Sequence, residues 1–136
     1  MPRSRVLVVD DDPDIAVYLS SYLEDHDYEV RSASDAPRAL AALASYRPDV
    51  VLVDVLLPGR SGLDLLVTLR HDPAYRGIPI VLVTGMEDIL QHDCQSYLSN
   101  HDHVPGPDAV LGKPIDPAAL LAVLRHLCGS ETAAAV

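Results

Sequence analysis

The sequence predicts an α/β fold: a doubly wound (βα)5 chain whose five parallel strands lie in the order 2-1-3-4-5, with helices on both faces. Three observations predict it. Short apolar runs alternate with segments of helical period from one end of the chain to the other, five of each, and such alternation means a parallel sheet with right-handed crossovers. Three of the runs, residues 6–9, 50–53 and 78–83, are continuously apolar or nearly so, as strands covered on both faces are. The other two, residues 29–33 and 109–111, are weaker or mixed in polarity and suit the edges of the sheet.

Each element has its own signal. The first run, Val6-Leu-Val-Val9, ends in Asp10-Asp11-Asp12. Asp12 is a helix N-cap with Pro13 at the first helical position, and Ile15, Leu19, Tyr22 and Leu23 form the stripe that follows. After the mixed second run, Ser34-Asp35 opens a stripe of Ala39, Leu40, Leu43 and Tyr46. The third run, Val50-Val-Leu-Val53, leads into Asp54, and Ser61-Gly-Leu-Asp64 is a capping-box variant before Leu63, Leu66, Val67 and Arg70. The fourth, Ile78-Pro-Ile-Val-Leu-Val83, runs into Thr84-Gly85, and Met86, Ile89, Leu90, Tyr97 and Leu98 form the fourth helical pattern. A polar loop over residues 100–107 precedes the fifth run and Gly112-Lys113-Pro114. Asp116-Pro117 then opens the fifth helical pattern, Leu120, Leu121, Val123, Leu124 and Leu127, which Gly129 closes.

Composition narrows the function classes. The 136 residues suffice for one ordinary domain with a real core, and 49% hydrophobic content excludes a disordered chain. A formal net charge of −10 disfavours direct binding to a phosphate backbone or an anionic membrane and favours metal cations or basic protein surfaces. Cys94 and Cys128 form no CxxC pattern, and no signal-peptide core or long apolar stretch is present, so the expectation is a cytoplasmic protein.

In an open parallel sheet of this order the site lies beyond the carboxyl ends of the strands, near the switch between strands 1 and 3. Those ends carry Asp10, Asp11 and Asp12, then Asp54, then Thr84-Gly85, then Lys113. Carboxylates gathered there repel one another by about 1–4 kcal/mol per close pair, which a hard divalent cation such as Mg2+ relieves. A phosphoryl group is the natural next ligand of such a cation. Lys113, the single lysine beside nine arginines, offers it a compact positive charge. Thr84 offers a hydroxyl and Gly85 a backbone N–H with no side chain in the way. Asp54 is placed as the nucleophile that forms an acyl phosphate.

These blocks together, Val-Leu-Val-Val-Asp10-Asp11-Asp12-Pro, Val-Asp54-Val-Leu-Leu-Pro58-Gly59-x-x-Gly62, Ile-Pro-Ile-Val-Leu-Val-Thr84-Gly85 and Lys113-Pro114, resemble the signature of a response-regulator receiver domain. The likeness runs from about residue 4 to about residue 128 and implies a flavodoxin-like receiver over residues 1–128; residues 129–136, past the last helical pattern, are expected to be a flexible tail. It implies that Asp54 is phosphorylated by a sensor histidine kinase or a histidine phosphotransfer protein. It also implies that Asp10, Asp11, Asp54 and the carbonyl of Leu56 hold Mg2+, Asp10 through water. Thr84 becomes the switch hydroxyl, Lys113 the phosphoryl-binding lysine, and the Lys113–Pro114 peptide cis. A downstream protein would be met by the fourth helical pattern, the fifth strand and the fifth helical pattern. No output domain is expected beyond residue 128, whether the receiver acts alone or was cut from a longer protein.

Three departures from the family pattern stand out. Val110 occupies the position where the family usually has an aromatic switch residue, so output is expected through backbone or helix movement instead. The stretch from Thr84 to Gly106 is about seven residues longer than usual, an insertion whose closure costs little. Leu56 and Met86 are apolar where the family often has polar groups, which predicts a long-lived acyl phosphate. His92, Cys94, His101 and His103 in the long stretch match no standard zinc spacing. Two other functions remain open at this level: a phosphohydrolase with Asp10 as nucleophile and Asp12 as acid/base, and a receiver-shaped scaffold that works without phosphorylation.

Overall fold

The computed structural model describes residues 3–57, 61–85 and 107–128. Five strands, β1 (Ser4–Val9), β2 (Tyr28–Ala33), β3 (Val50–Asp54), β4 (Ile80–Thr84) and β5 (Ala109–Gly112), are all parallel and lie in the order β2-β1-β3-β4-β5. Among the described residues there are four helices: α1 (Pro13–Glu24), α2 (Ala36–Ser45), α3 (Gly62–His71) and α4 (Pro117–Cys128). The last of these is the fifth helical pattern of the sequence. The fourth pattern, the histidine- and cysteine-containing stretch and the tail lie outside the described residues.

Alternation along each strand sends side chains into two separate apolar layers. On one face Leu7, Val9, Val51, Val53, Ile80 and Leu82 meet α2 and α3 through Ala39, Leu43, Leu65, Leu66 and Leu69. On the other, Val6, Val8, Val50, Leu52 and Val81 meet α1 and α4 through Leu19, Leu23, Leu120 and Leu124. The three central strands are buried throughout their apolar lengths, whereas β5 is only half-buried and β2 mixed, as edge strands should be.

The helix starts follow their side chains. Asp12 accepts from the N–H groups of Asp14 and Ile15 at 3.0 and 3.4 Å, Asp35 from Arg38 at 2.8 Å, and Ser61 from Leu63 at 3.0 Å. Two expectations need correction. The fourth strand begins at Ile80, not Ile78, because Pro79 has no N–H for the ladder and the Ile78 carbonyl accepts from the Arg70 guanidinium at 3.0 Å. The buried stripe of α3 runs through Leu65 and Leu69 as well as Leu63 and Leu66, while Val67 is only partly covered. In a helix with four leucines in seven residues, the apolar pattern defines the buried arc only loosely.

Candidate functional site

The strand order places the carboxyl ends of β1, β3, β4 and β5 along one rim. β1 runs out into Asp10, whose N–H is held by the Ala33 carbonyl of β2 at 3.0 Å. β3 ends on Asp54, which lies opposite Val83, and β4 ends on Thr84, which lies opposite Gly112. The Lys113 N–H then donates to the Thr84 carbonyl at 2.7 Å, which carries the ladder one step past β5 and brings the lysine to the rim. The Lys113–Pro114 peptide is cis.

One carboxylate oxygen from each of Asp10, Asp11 and Asp54 falls within 4.8 Å of the other two. Asp10 and Asp54 are buried, at 6% and 5% exposure, and Asp11 is exposed to solvent. The Lys113 ammonium donates to Asp54 Oδ2 at 2.8 Å and stands 3.7 Å from Asp10 Oδ2. The other oxygens of the two buried acids are occupied by backbone. Asp54 Oδ1 accepts from the Leu56 N–H at 3.0 Å, and Asp10 Oδ1 from the Asp12 N–H at 2.9 Å. Each buried carboxylate therefore has one oxygen fixed by the chain and one turned towards the lysine.

The electrostatics follow from this crowding. Burial raises the Asp10 carboxyl above its ordinary value; the Asp12 N–H and Lys113 pull it down, and the charges of Asp54 and Asp11 push it further up. For Lys113, burial works against the charged form, but the hydrogen bond to Asp54 and the charges of Asp54 and Asp10 prevail and raise its pKa. A cluster of three acids with one ammonium has spare negative charge. Its donors are all hard oxygens, with no thiolate or imidazole, so the chemistry of the set fits a hard divalent cation.

Asp10, Asp11, Asp54 and Lys113 are thus brought together. Thr84 is buried at the end of β4 and tied to Lys113 through the backbone. Gly85 follows it at the surface, where an added Cβ would meet nothing within 4 Å, so open space surrounds this backbone. Leu56 is bound to Asp54 through its N–H while its side chain is 78% exposed. Val110 pairs with Leu82 and packs against the α2–α3 layer, away from the carboxylates. Asp12 is occupied in capping α1.

One residue carries a site role that the pattern alone did not assign. Gly62 opens α3 against the end of β3, and its N–H donates to the Val55 carbonyl at 2.8 Å. A Cβ there would overlap the Asp54 carbonyl oxygen and come within 2.9 Å of Val53 Cγ1 and Val55 Cα. The absent side chain is what lets α3 abut the backbone of Asp54. The signal available was its spacing from Pro58-Gly59.

Comparison with known proteins agrees with this geometry. The family model described as "Response regulator receiver domain" matches residues 6–125. The DNA-binding response regulator MtrA of Mycolicibacterium smegmatis is 37% identical over 123 residues, which cover 90% of this chain and 50% of that protein. The response regulator PleD of Caulobacter vibrioides is 36% identical over 128 residues, covering 91% of this chain and 26% of its own length. The chain therefore spans half or less of these curated relatives. Among solved structures, chemotaxis response regulator CheY4 of Vibrio cholerae superposes with a TM-score of 0.79 at 30% identity, covering 92% of this chain and 98% of that one. A CheY-like receiver domain protein of Methanospirillum hungatei gives 0.80 at 28% identity, covering 96% and 97%. A five-stranded sheet in this order, an acid cluster at its rim and a match over nearly the whole length lead to one conclusion: the chain belongs to the response regulator receiver family.

Proposed function

We propose that this protein is a phosphorylation-controlled signalling module in which Asp54 accepts a phosphoryl group from a phosphohistidine of a sensor histidine kinase or histidine phosphotransfer protein. The observation that carries the reading is the placement of Asp54 Oδ2, 2.8 Å from the Lys113 ammonium and within the three-acid cluster. In the transfer, a carboxylate oxygen of Asp54 forms the new O–P bond as the P–N bond to the imidazole breaks. The Leu56 N–H fixes the other oxygen and so orients the attack. Lys113 then meets the transferred oxygens as a point charge, and Thr84 and Gly85 supply a hydroxyl and a backbone N–H.

Asp10, Asp11 and Asp54, with the Leu56 carbonyl, would hold Mg2+, which when bound neutralises charge on the phosphoryl oxygens. Beside Lys113, an apolar hollow of about 310 Å3 lined by Ile15, Tyr18, Leu19, Pro114 and Ile115 offers a seat for the donor protein next to the nucleophile. Downstream output would use the face of β5 and α4. In this reading the receiver spans residues 1–128, and the protein works in the cytoplasm beside its donors. MtrA binds DNA by its name, but this chain matches only half of MtrA, and its own acidity disfavours nucleic acid. No described helix is long and apolar enough to cross a membrane.

The test is labelling with acetyl phosphate or phosphoramidate in Mg2+, read by intact-mass spectrometry. One added phosphoryl group is expected on the wild type and none on Asp54→Asn or in EDTA. Labelling that persists in Asp54→Asn and disappears in Asp10→Asn would overturn the assignment. In the phosphohydrolase alternative Asp12 would be the acid/base, yet its Oδ1 caps α1; turnover of a chromogenic phosphate ester that is lost in Asp10→Asn but not in Asp54→Asn would favour that alternative.

A further inference from the structure

The opposite end of the sheet, where the strands begin, carries the reverse charge. A cleft of about 500 Å3 opens there, lined by Arg3, Ser4, Arg5, Arg47, Pro48 and Asp49. Three of the ten basic residues of a chain with net charge −10 meet in this one hollow. The single lining carboxylate, Asp49, accepts from the Arg5 N–H at 2.7 Å through one oxygen and keeps its charge, which leaves three guanidinium groups against one carboxylate in the lining. Arg47 donates to the Ala74 carbonyl at 3.1 Å, and among the described residues neither Arg3 nor Arg47 has a carboxylate partner. Glu29 lies outside the lining, 3.7 Å from Arg5 Nε, with both side chains half exposed.

Arg5 is also held in place. Its guanidinium lies over the Tyr46 ring at 5.4 Å, and Arg31 lies over the same ring at 4.7 Å. Tyr46 is itself buried and anchored by its hydroxyl, which donates to the Glu29 carbonyl at 2.9 Å. A guanidinium resting on a fixed aromatic loses less freedom when an anion arrives. The volume falls within the roughly 300–1,000 Å3 typical of small-ligand clefts and is far larger than one oxyanion needs.

We infer that the cleft formed by Arg3, Arg5 and Arg47 at the start of β1 and β3 is a binding site for a small polyphosphate anion, inorganic or nucleotide-borne. Guanidinium forks match phosphate oxygens two at a time, and linked phosphates let more than one arginine be engaged together. The site is separate from the acid rim and does not depend on phosphorylation of Asp54.

The experiment is amide NMR on the full 136-residue chain in EDTA at about 0.15 M salt, titrated with pyrophosphate, ATP or sulfate. Saturable shifts are expected at Ser4, Arg5, Arg47 and Asp49 with pyrophosphate and ATP, and much weaker ones with sulfate. ATP tighter than pyrophosphate would identify a nucleotide ligand; equal affinity would identify the phosphates alone. Arg3→Ala/Arg47→Ala should weaken binding by at least about tenfold, the scale of one charge-assisted hydrogen bond, with the amide spectrum away from the cleft and from Ala74 unchanged. Shifts confined to Gly85 and Lys113, equal response to sulfate, or undiminished binding by the double variant would overturn the proposal. Failure of Asp54 to take a phosphoryl group would leave it untouched.

Discussion

Replacing Lys113 by methionine removes the one ammonium from the rim while keeping a long side chain. Asp10 and Asp54, both buried, then face each other with oxygens no more than 4.8 Å apart. At an effective dielectric of about 20, two unit charges at that distance repel by about 3.5 kcal/mol. Asp10 limits the loss by taking up a proton, so the expected destabilisation is about 2–4 kcal/mol near pH 7.5 without Mg2+, read by urea unfolding. The sign of the pH dependence follows from Asp10. Its native carboxyl already lies above the ordinary 3.8, chiefly through burial, so the folded state holds that proton more tightly than the unfolded chain. Losing Lys113 raises it further. The deficit should therefore shrink as pH falls from about 7.5 to about 5, and saturating Mg2+ should abolish it at the higher pH. In the wild type, Lys113 carries the opposite sign. Its raised pKa gives stability that is complete below 10.5 and disappears as pH rises through the native value. A deficit in Lys113→Met that is the same at both pH values and with or without Mg2+ would mean that the lysine only fills space, and the electrostatic account would be wrong.

Other perturbations test other joints. Gly62→Ala should cost about 1–3 kcal/mol or more in urea unfolding, because the new Cβ meets backbone that cannot swing aside; stability within experimental error of wild type would show that α3 does not press on Asp54. Arg70→Met should cost about 1–3 kcal/mol, since it removes the bonds of a side chain only 6% exposed to the half-exposed Asp108 at 2.9 Å and to the carbonyls of Arg76 and Ile78 at 3.0 Å. A double-mutant cycle with Asp108→Ala should return a coupling of about 1–3 kcal/mol, and additivity would refute the pairing. Tyr46 should titrate late, with its pKa pushed up from the ordinary 10.0 to about 12 mainly by burial and then by the charge of Glu29. Because the folded pKa exceeds the ordinary 10.0, stability should fall from about pH 10 to about pH 12, and Tyr46→Phe should remove that part of the fall.

The rim was legible because two independent regularities meet there. Alternating apolar runs and helical stripes specify a parallel sheet, and a parallel sheet brings every strand's carboxyl end to the same side. Asp10, Asp54, Thr84 and Lys113 needed only their positions after four runs to be grouped, and the structure gathers the two acids and the lysine within bonding range. What stayed hidden depends on packing. Arg70 and Asp108 are separated by 38 positions, and nothing in either neighbourhood announces a pair. In the basal cleft Arg47 is likewise more than forty positions from Arg3 and Arg5, and all three look like ordinary solvated charges until β1 and β3 are set side by side. Leucines at 63, 65, 66 and 69 are all buried, and beside so broad an apolar arc the periodicity could not show that Val67 stands at its margin. Ile78 reads as strand by composition, yet Pro79 and the bond from Arg70 keep it out of the ladder.

β5 is four residues long and half-buried, so its own apolar contacts resist sliding only weakly. Its alignment is fastened instead at the end remote from the acids. Asp108 takes both the Arg70 guanidinium and the Ile80 N–H, at 2.9 and 2.8 Å, and returns its own N–H to the Ile80 carbonyl. A slip of one position would move the chain by about 3.3 Å and turn Val110 and Leu111 inside out. The Arg70–Asp108 clasp therefore acts as the zero mark of a ruler: counted from it along a rigid strand, the ammonium of Lys113 arrives opposite Asp54, and the spacing of the chemistry at one end is measured out from the other.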